Sequence, residues 1–184
     1  MKQKENFNII IAGYGGQGVL TLADIIARAA FLSNYDIKQA ELHGLAQRGG
    51  SLQINVKFGK KIYSPLVLKG QADLIIALDA LEALRACSYA NKKTIIITNK
   101  KVFRLDSLKK VLRELKARRK VYSLDADRIS EKITGNITST NILMLGYAIR
   151  KKILPLKRDA VWLAIKEKIK PEFLDEARKV FDAA

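Results

Sequence analysis

The chain has 184 residues, 48% of them hydrophobic, with a single cysteine and a formal net charge of +16. That length and apolar content suit one domain with a sizeable core and exclude a wholly disordered chain despite the charge. Cys87 alone excludes an internal disulfide and a cysteine-held zinc or iron–sulfur centre. The apolar runs are too short to cross a bilayer and the N-terminus lacks the apolar stretch of a signal peptide, so no membrane partner and a cytoplasmic location are expected.

In chain order, an apolar run at 8–12 ends in glycines and 19–31 repeats apolar residues with helical period, which predicts strand, glycine turn and helix. A strand at about 36–42 follows and completes a βαβ unit. Residues 51–58 alternate, with Leu52, Ile54, Val56 and Phe58 on one face, and lead through Gly59, Lys60 and Lys61 to Ile62 and Tyr63. That pattern predicts a hairpin, or a strand with an antiparallel neighbour. The continuous apolar runs 72–78 and 94–98 read as parallel strands covered on both faces, with a helix at 81–89 between them.

The charge is concentrated in the second half. Residues 91–184 carry 24 Lys and Arg against 11 Asp and Glu, whereas residues 1–90 carry 10 against 7. The densest stretch is 100–120, which also places Leu105, Leu108, Val111, Leu112 and Leu115 at helical spacing. Such a run can attract nucleic acid, but the spacing favours one amphipathic helix with a solvated basic face. Phe103 and Tyr122 merely flank it, so a base-stacking platform is not indicated.

A last strand at 121–124 leads into a helix at 125–133, and 134–136 is the candidate subdomain boundary. Beyond it the pattern is helical, at 139–153, 157–169 and 171–184, with Pro155 just ahead of the second helix. The expected architecture is a single domain over 1–184 of the α/β class. It has a doubly wound, mostly parallel, Rossmann-like core at 1–133 and a C-terminal helical appendage at 134–184.

Gly13, Tyr14, Gly15, Gly16, Gln17 and Gly18 fit G-x-G-x-x-G between a predicted strand and helix. Gly13 permits the turn, Gly15 lets a phosphate approach backbone N–H groups, and Gly18 permits close helix packing at a positive helix end. With Glu41 standing where a ribose-binding acid would be, the turn is compatible with NAD(P) or FAD. It is equally compatible with a crossover that needs glycine only for packing. The second unusual segment runs from Glu41 to Ser51 and contains the sole histidine, His43, then Gln47, Arg48, Gly49 and Gly50. After the second strand it emerges at the same carboxyl edge as the glycine turn, so the two loops are expected to meet. Arg48 offers a planar fork to an anion, and the Gly pair can turn N–H groups toward one.

The stretch Gly15-Gly16-Gln17-Gly18-Val19-Leu20-Thr21, together with His43-Gly44-Leu45-Ala46-Gln47-Arg48-Gly49-Gly50-Ser51, resembles the gamma-type subunits of 2-oxoacid:ferredoxin oxidoreductases. The His-Gly-x-x-Gln-Arg-Gly-Gly-Ser form is most similar to the beta subunit of indolepyruvate:ferredoxin oxidoreductases. Tyr63-Ser64-Pro65-Leu66, Leu81-Glu82-Ala83-Leu84-Arg85 and Asn141 to Gly146 also fit the resemblance, which covers nearly the whole chain. Leu45, where methionine is usual, and the strong basicity depart from the pattern.

The resemblance implies an enzyme split between chains. A larger alpha subunit would hold thiamine diphosphate with magnesium and the iron–sulfur clusters. The complex would convert indolepyruvate or another arylpyruvate, coenzyme A and oxidised ferredoxin into an aryl-acetyl coenzyme A, carbon dioxide and reduced ferredoxin. This chain would bind none of those cofactors alone and hold no metal. It would complete the active-site cleft, with Gly13, Gly15, Gly16, Gln17, Gly18, His43, Gln47, Arg48, Gly49 and Gly50 nearest the cofactor or substrate. The other reading open from the sequence is a nucleotide-binding dehydrogenase or regulator, for which His43 would be the only histidine available to move a proton.

Overall fold

The computed structural model describes residues 6–43, 50–102, 108–118 and 120–184. Gln47, Arg48, Gly49 and the start of the basic helix at Leu105 lie outside them. Among the described residues six strands form one sheet: β1 (Asn6–Tyr14), β2 (Asp36–His43), β3 (Ser51–Gly59), β4 (Ala72–Ala77), β5 (Ala90–Asn99) and β6 (Lys120–Leu124), in the spatial order β2-β3-β1-β4-β5-β6. β1, β4, β5 and β6 pair in parallel, while β3 is antiparallel to both β1 and β2.

The insertion of β3 changes the predicted βαβ unit. The helix α1 (Val19–Leu32) carries the chain from β1 not to the neighbouring position but one strand further, and β3 fills the gap. The link between β2 and β3 is far shorter than the dozen or more residues a parallel crossover requires, so β3 must return antiparallel. The predicted hairpin with Ile62 and Tyr63 does not form, because no strand follows β3 before β4. The Ile62 N–H instead donates to the Asp36 carboxylate at 2.6 Å, and the Val67 N–H to Asn55 Oδ1 at 3.0 Å. These two bonds tie an irregular segment onto β2 and β3.

Alternation along the central strands divides the core. Ile9, Ile11, Leu74, Ile76 and Ile97 point to one face, and Ile10, Ala12, Ile75, Ala77 and Ile96 to the other. The first face is covered by α1 and by α5 (Thr140–Arg150), α6 (Arg158–Lys168) and α7 (Leu174–Ala183). The second is covered by α2 (Ala80–Arg85), a following 3₁₀ turn (Ala86–Tyr89) and α3 (Leu108–Arg118). α4 (Ala126–Thr134) follows β6 and packs against α5 and α7.

The predicted helix at 81–89 is thus an α-helical turn and a half that tightens into 3₁₀ geometry, begun by Asp79, whose carboxylate accepts from the Leu81 N–H at 2.8 Å. In the tail, α5 and α7 pack closely because Gly146 has no side chain: a Cβ there would stand 2.7 Å from the Phe181 carbonyl oxygen. Phe181 is fully buried and stacks on Trp162 with ring centroids 6.0 Å apart. Burial of one such ring contributes about 1.5–3 kcal/mol. No helix among the described residues is long and apolar enough to cross a membrane.

Candidate functional site at the carboxyl edge of the sheet

β1 and β4 are parallel neighbours whose following helices, α1 and α2, leave to opposite faces of the sheet. A crevice therefore opens at their carboxyl ends, the usual place for ligands in an open α/β sheet. The glycine turn lies there. Gln17 closes it on itself: its N–H donates to the Tyr14 carbonyl at 3.1 Å, and its side-chain oxygen accepts from the Tyr14 N–H at 2.8 Å. Gly18 begins α1 with φ +80°, a left-handed conformation that strains residues with a Cβ, and a Cβ there would stand 2.4 Å from Asn141 Nδ2. Asn141, buried at the start of α5, donates from that nitrogen to the Gly18 carbonyl at 3.2 Å. The turn is thereby bolted to the helical tail.

On its other side the turn meets the second glycine segment. The Gly15 N–H donates to the Gly50 carbonyl at 3.2 Å, just before Ser51 pairs with Tyr14 in the sheet. Gly13, Gly15, Gly16, Gln17, Gly18 and Gly50 are therefore gathered at one edge. His43 ends β2 opposite Leu52, with β3 between it and β1. Glu41 lies opposite Ile54 on the edge strand β2 and is also separated from β1 by β3. A ribose-binding acid belongs on the strand adjacent to the glycine turn, so this placement disfavours the dinucleotide reading.

A cavity of about 520 Å³ opens beside the turn. Gly16, Gln17, Gly18 and Leu78 form one wall, and residues of the tail, among them Ile137, Ser139, Asn141 and Phe173, form the other. At its rim Asp127 accepts from Asn99 Nδ2 at 2.7 Å and from the Thr140 hydroxyl at 3.1 Å, and pairs with Lys101 at 2.8 Å. None of these tail residues is among the sequence candidates. Two local signals bear on this wall: the resemblance carried by Asn141 to Gly146, and the polar cluster Ser139, Thr140 and Asn141 where a helix is expected to start.

Across β1 from the cavity lies a compact polar cluster. Glu82, 2% exposed, accepts from the Ser51 hydroxyl with one carboxylate oxygen and from Arg85 with the other. Arg85 also donates to the Tyr14 hydroxyl at 3.4 Å. Burial, followed by the hydrogen bond and charge of Glu82, pushes the Tyr14 phenol above its ordinary value.

A profile of the family described as pyruvate ferredoxin/flavodoxin oxidoreductase matches residues 8–184. The indolepyruvate oxidoreductase subunit IorB of Archaeoglobus fulgidus is 36% identical over 179 residues, covering 91% of this chain and 88% of that protein. A pyruvate oxidoreductase subunit from Thermotoga maritima shares the fold with a TM-score of 0.77 at 18% identity, over 98% of this chain and 95% of its own. A 2-oxoglutarate:ferredoxin oxidoreductase from Magnetococcus marinus, solved with 2-oxoglutarate, coenzyme A and succinyl-CoA, matches with a TM-score of 0.79 at 18% identity. That match covers 98% of this chain but 30% of the larger one.

Proposed function

Because the chain belongs to the pyruvate ferredoxin/flavodoxin oxidoreductase family, as an accessory subunit of a multi-subunit 2-oxoacid:ferredoxin oxidoreductase, we propose that its complex oxidatively decarboxylates indolepyruvate or related arylpyruvates. The 2-oxoacid loses carbon dioxide, its acyl carbon is oxidised onto the thiol of coenzyme A, and the two electrons released reduce ferredoxin. The aryl substrate class follows the 36% identical relative, whose name specifies indolepyruvate. A cytoplasmic location accompanies the reading, as suits an enzyme that draws on coenzyme A and ferredoxin.

The chain's own donor set does not fit the redox groups. It has one cysteine in 184 residues, and the described residues contain no cluster of three or more His, Cys, Asp or Glu able to hold a metal. On this reading a four-cysteine cluster and the thiamine diphosphate with its magnesium would be held by the larger subunit, where the thiamine would supply the carbanion chemistry. The contribution of this chain is to close the cleft. Gly13, Gly15, Gly16, Gln17 and Gly18 offer backbone N–H groups and a positive helix end, and the segment His43 to Gly50, with Gln47, Arg48 and Gly49, adds a guanidinium fork for an anionic group of substrate, cofactor or coenzyme A.

The observation that carries this assignment is the Gly15–Gly50 hydrogen bond, which joins both resembling motifs at the edge where a ligand crevice opens. Coexpression with the larger subunit tests it. The assembled enzyme is expected to turn over indolepyruvate faster than pyruvate, and Arg48→Ala is expected to raise the KM for the 2-oxoacid or coenzyme A at least several-fold while the melting temperature of the isolated chain stays within about 2 °C. Wild-type kinetics at limiting 2-oxoacid and limiting coenzyme A would remove Arg48 from the cleft.

A further inference from the structure

The Leu81-Glu82-Ala83-Leu84-Arg85 segment shares in the family resemblance yet lies outside the glycine motifs, on the face of the sheet away from the cavity. Its central acid is nearly solvent-free, and a buried carboxylate persists only where its oxygens are satisfied. Here they are: one takes the Ser51 hydroxyl and the other the Arg85 guanidinium. Tyr14, the cross-strand partner of Ser51, completes the group through Arg85 and through its own bond to Glu82. The two residues flanking this junction belong to the functional motifs. Gly15 follows Tyr14, and Gly50 precedes Ser51, and these two are joined by the Gly15 N–H to Gly50 carbonyl bond.

We propose that Glu82 is a positioning residue for the enzyme's cleft: through Ser51 it holds the neighbouring Gly50, and so sets the register between the glycine turn and the end of the second glycine segment at Gly50. The inference rests on the reading of that segment as part of the cleft. α2 can act in this way because it presents small side chains to the sheet. Ala80 and Ala83 of the helix share one buried cluster with Ala12 and Ala77 at the carboxyl ends of β1 and β4, which leaves the helix close enough for the Glu82 carboxylate to reach across β1 to β3. Ser51 is exposed on its strand, so the bond to Glu82 is a specific tether and not a by-product of core burial.

The tether has a readout that needs no substrate. Exchange of the Gly15 amide in the full chain, followed by NMR, is expected to be at least five-fold faster in Ser51→Ala than in wild type, with the amides of Ile10 and Ile75 unchanged. Ser51→Thr, which keeps the hydroxyl, is expected to restore slow exchange, and Glu82→Gln, which leaves only one carbonyl oxygen to accept, to match or exceed the effect of Ser51→Ala. In the assembled enzyme Ser51→Ala is expected to raise KM several-fold with kcat within two-fold of wild type. Should Glu82→Gln fail to fold, the serine pair decides alone. Unchanged Gly15 exchange in Ser51→Ala overturns the tether. Faster exchange combined with wild-type kinetics also overturns the positioning role, and it does so by showing that the tethered segment is not in the cleft.

Discussion

The two faces of the sheet are built to different depths. On the tail face α1, α5, α6 and α7 bury Leu22, Ile25, Leu145, Val161 and Phe181 against Ile9, Ile11 and Ile76, so large side chains fill a thick layer. On the opposite face seven alanines, from Ala12 to Ala90, dominate a thin contact under α2 and its 3₁₀ extension, with Val111 and Leu115 of α3 closing one end. The thick layer supplies the stability that lets the carboxyl edge carry glycine-rich turns. The thin one trades buried area for proximity, which brings a buried acid within reach of a strand two positions away in the sheet. Stability and positioning are thus divided between the faces, and the glycine turn is anchored to both, by Asn141 on one side and by Gly50 on the other.

Truncation probes this division most strongly. Phe181→Ala is expected to cost about 3–5 kcal/mol, because a large ring is removed from a site hemmed by Trp162 and α5, whereas Leu115→Ala belongs near the lower end of the range for Leu truncation, about 2 kcal/mol. Urea unfolding of both variants measures the difference, and equal losses would erase the contrast between the faces.

A smaller effect comes from the charged rim of the tail face. Arg28 pairs with Glu167, Lys168 with Asp24, and Asp182 with both Arg158 and Arg178. Burial pushes Asp24 and Asp182 up, but the bonds from Lys168 and Gln39, and from Arg178 and Arg158, outweigh it and hold both below the usual carboxylate range. The Arg28 hydrogen bond does the same for the exposed Glu167. A carboxyl group depressed in the folded state adds stability above its unfolded value, and that stability is lost as pH falls through the folded one. The tail should therefore loosen below about pH 4. Thermal melts between pH 7 and pH 3 check this, and Asp24→Asn combined with Asp182→Asn is expected to fall less steeply than wild type.

The smallest effect is expected on the thin face. Lys109, Lys110 and Arg113 are exposed on α3, whose Val111 and Leu115 are buried. Their reversal to Glu is expected to leave the isolated chain's stability nearly unchanged, since exposed charges contribute little. In the assembled enzyme it is expected to raise the apparent ferredoxin KM at low ionic strength, with the difference fading as the screening length contracts to about 10 Å at 0.1 M salt, and to leave the 2-oxoacid KM unaltered. An unchanged ferredoxin KM at low salt would leave α3 with a solvated face and no docking role.

Local pattern made much of this protein legible before any fold was known. Short apolar runs mark β1, β4 and β5, and a period of 3.6 residues marks α1 and α5, within a few residues of their ends, because strands covered on both faces need apolar side chains throughout and a helix repeats side-chain direction with each turn. The glycine turn and the His43 to Ser51 segment were visible for a similar reason, since their chemistry lies in contiguous residues. The position of β3 between β1 and β2, the loss of a strand at Ile62, the tail's wall of the cavity and the reach of Glu82 to Ser51 were not visible, although the alternation at 51–58 did point to an antiparallel neighbour. Each depends on a partner chosen across the sheet or more than a hundred positions away, as with Asn141 on Gly18, and a single sequence does not encode such pairings in any local period. They are settled only when the strands find their order and the helices close over them, because hydrogen-bond partners and close approaches are properties of assembled elements and not of the segments that supply them.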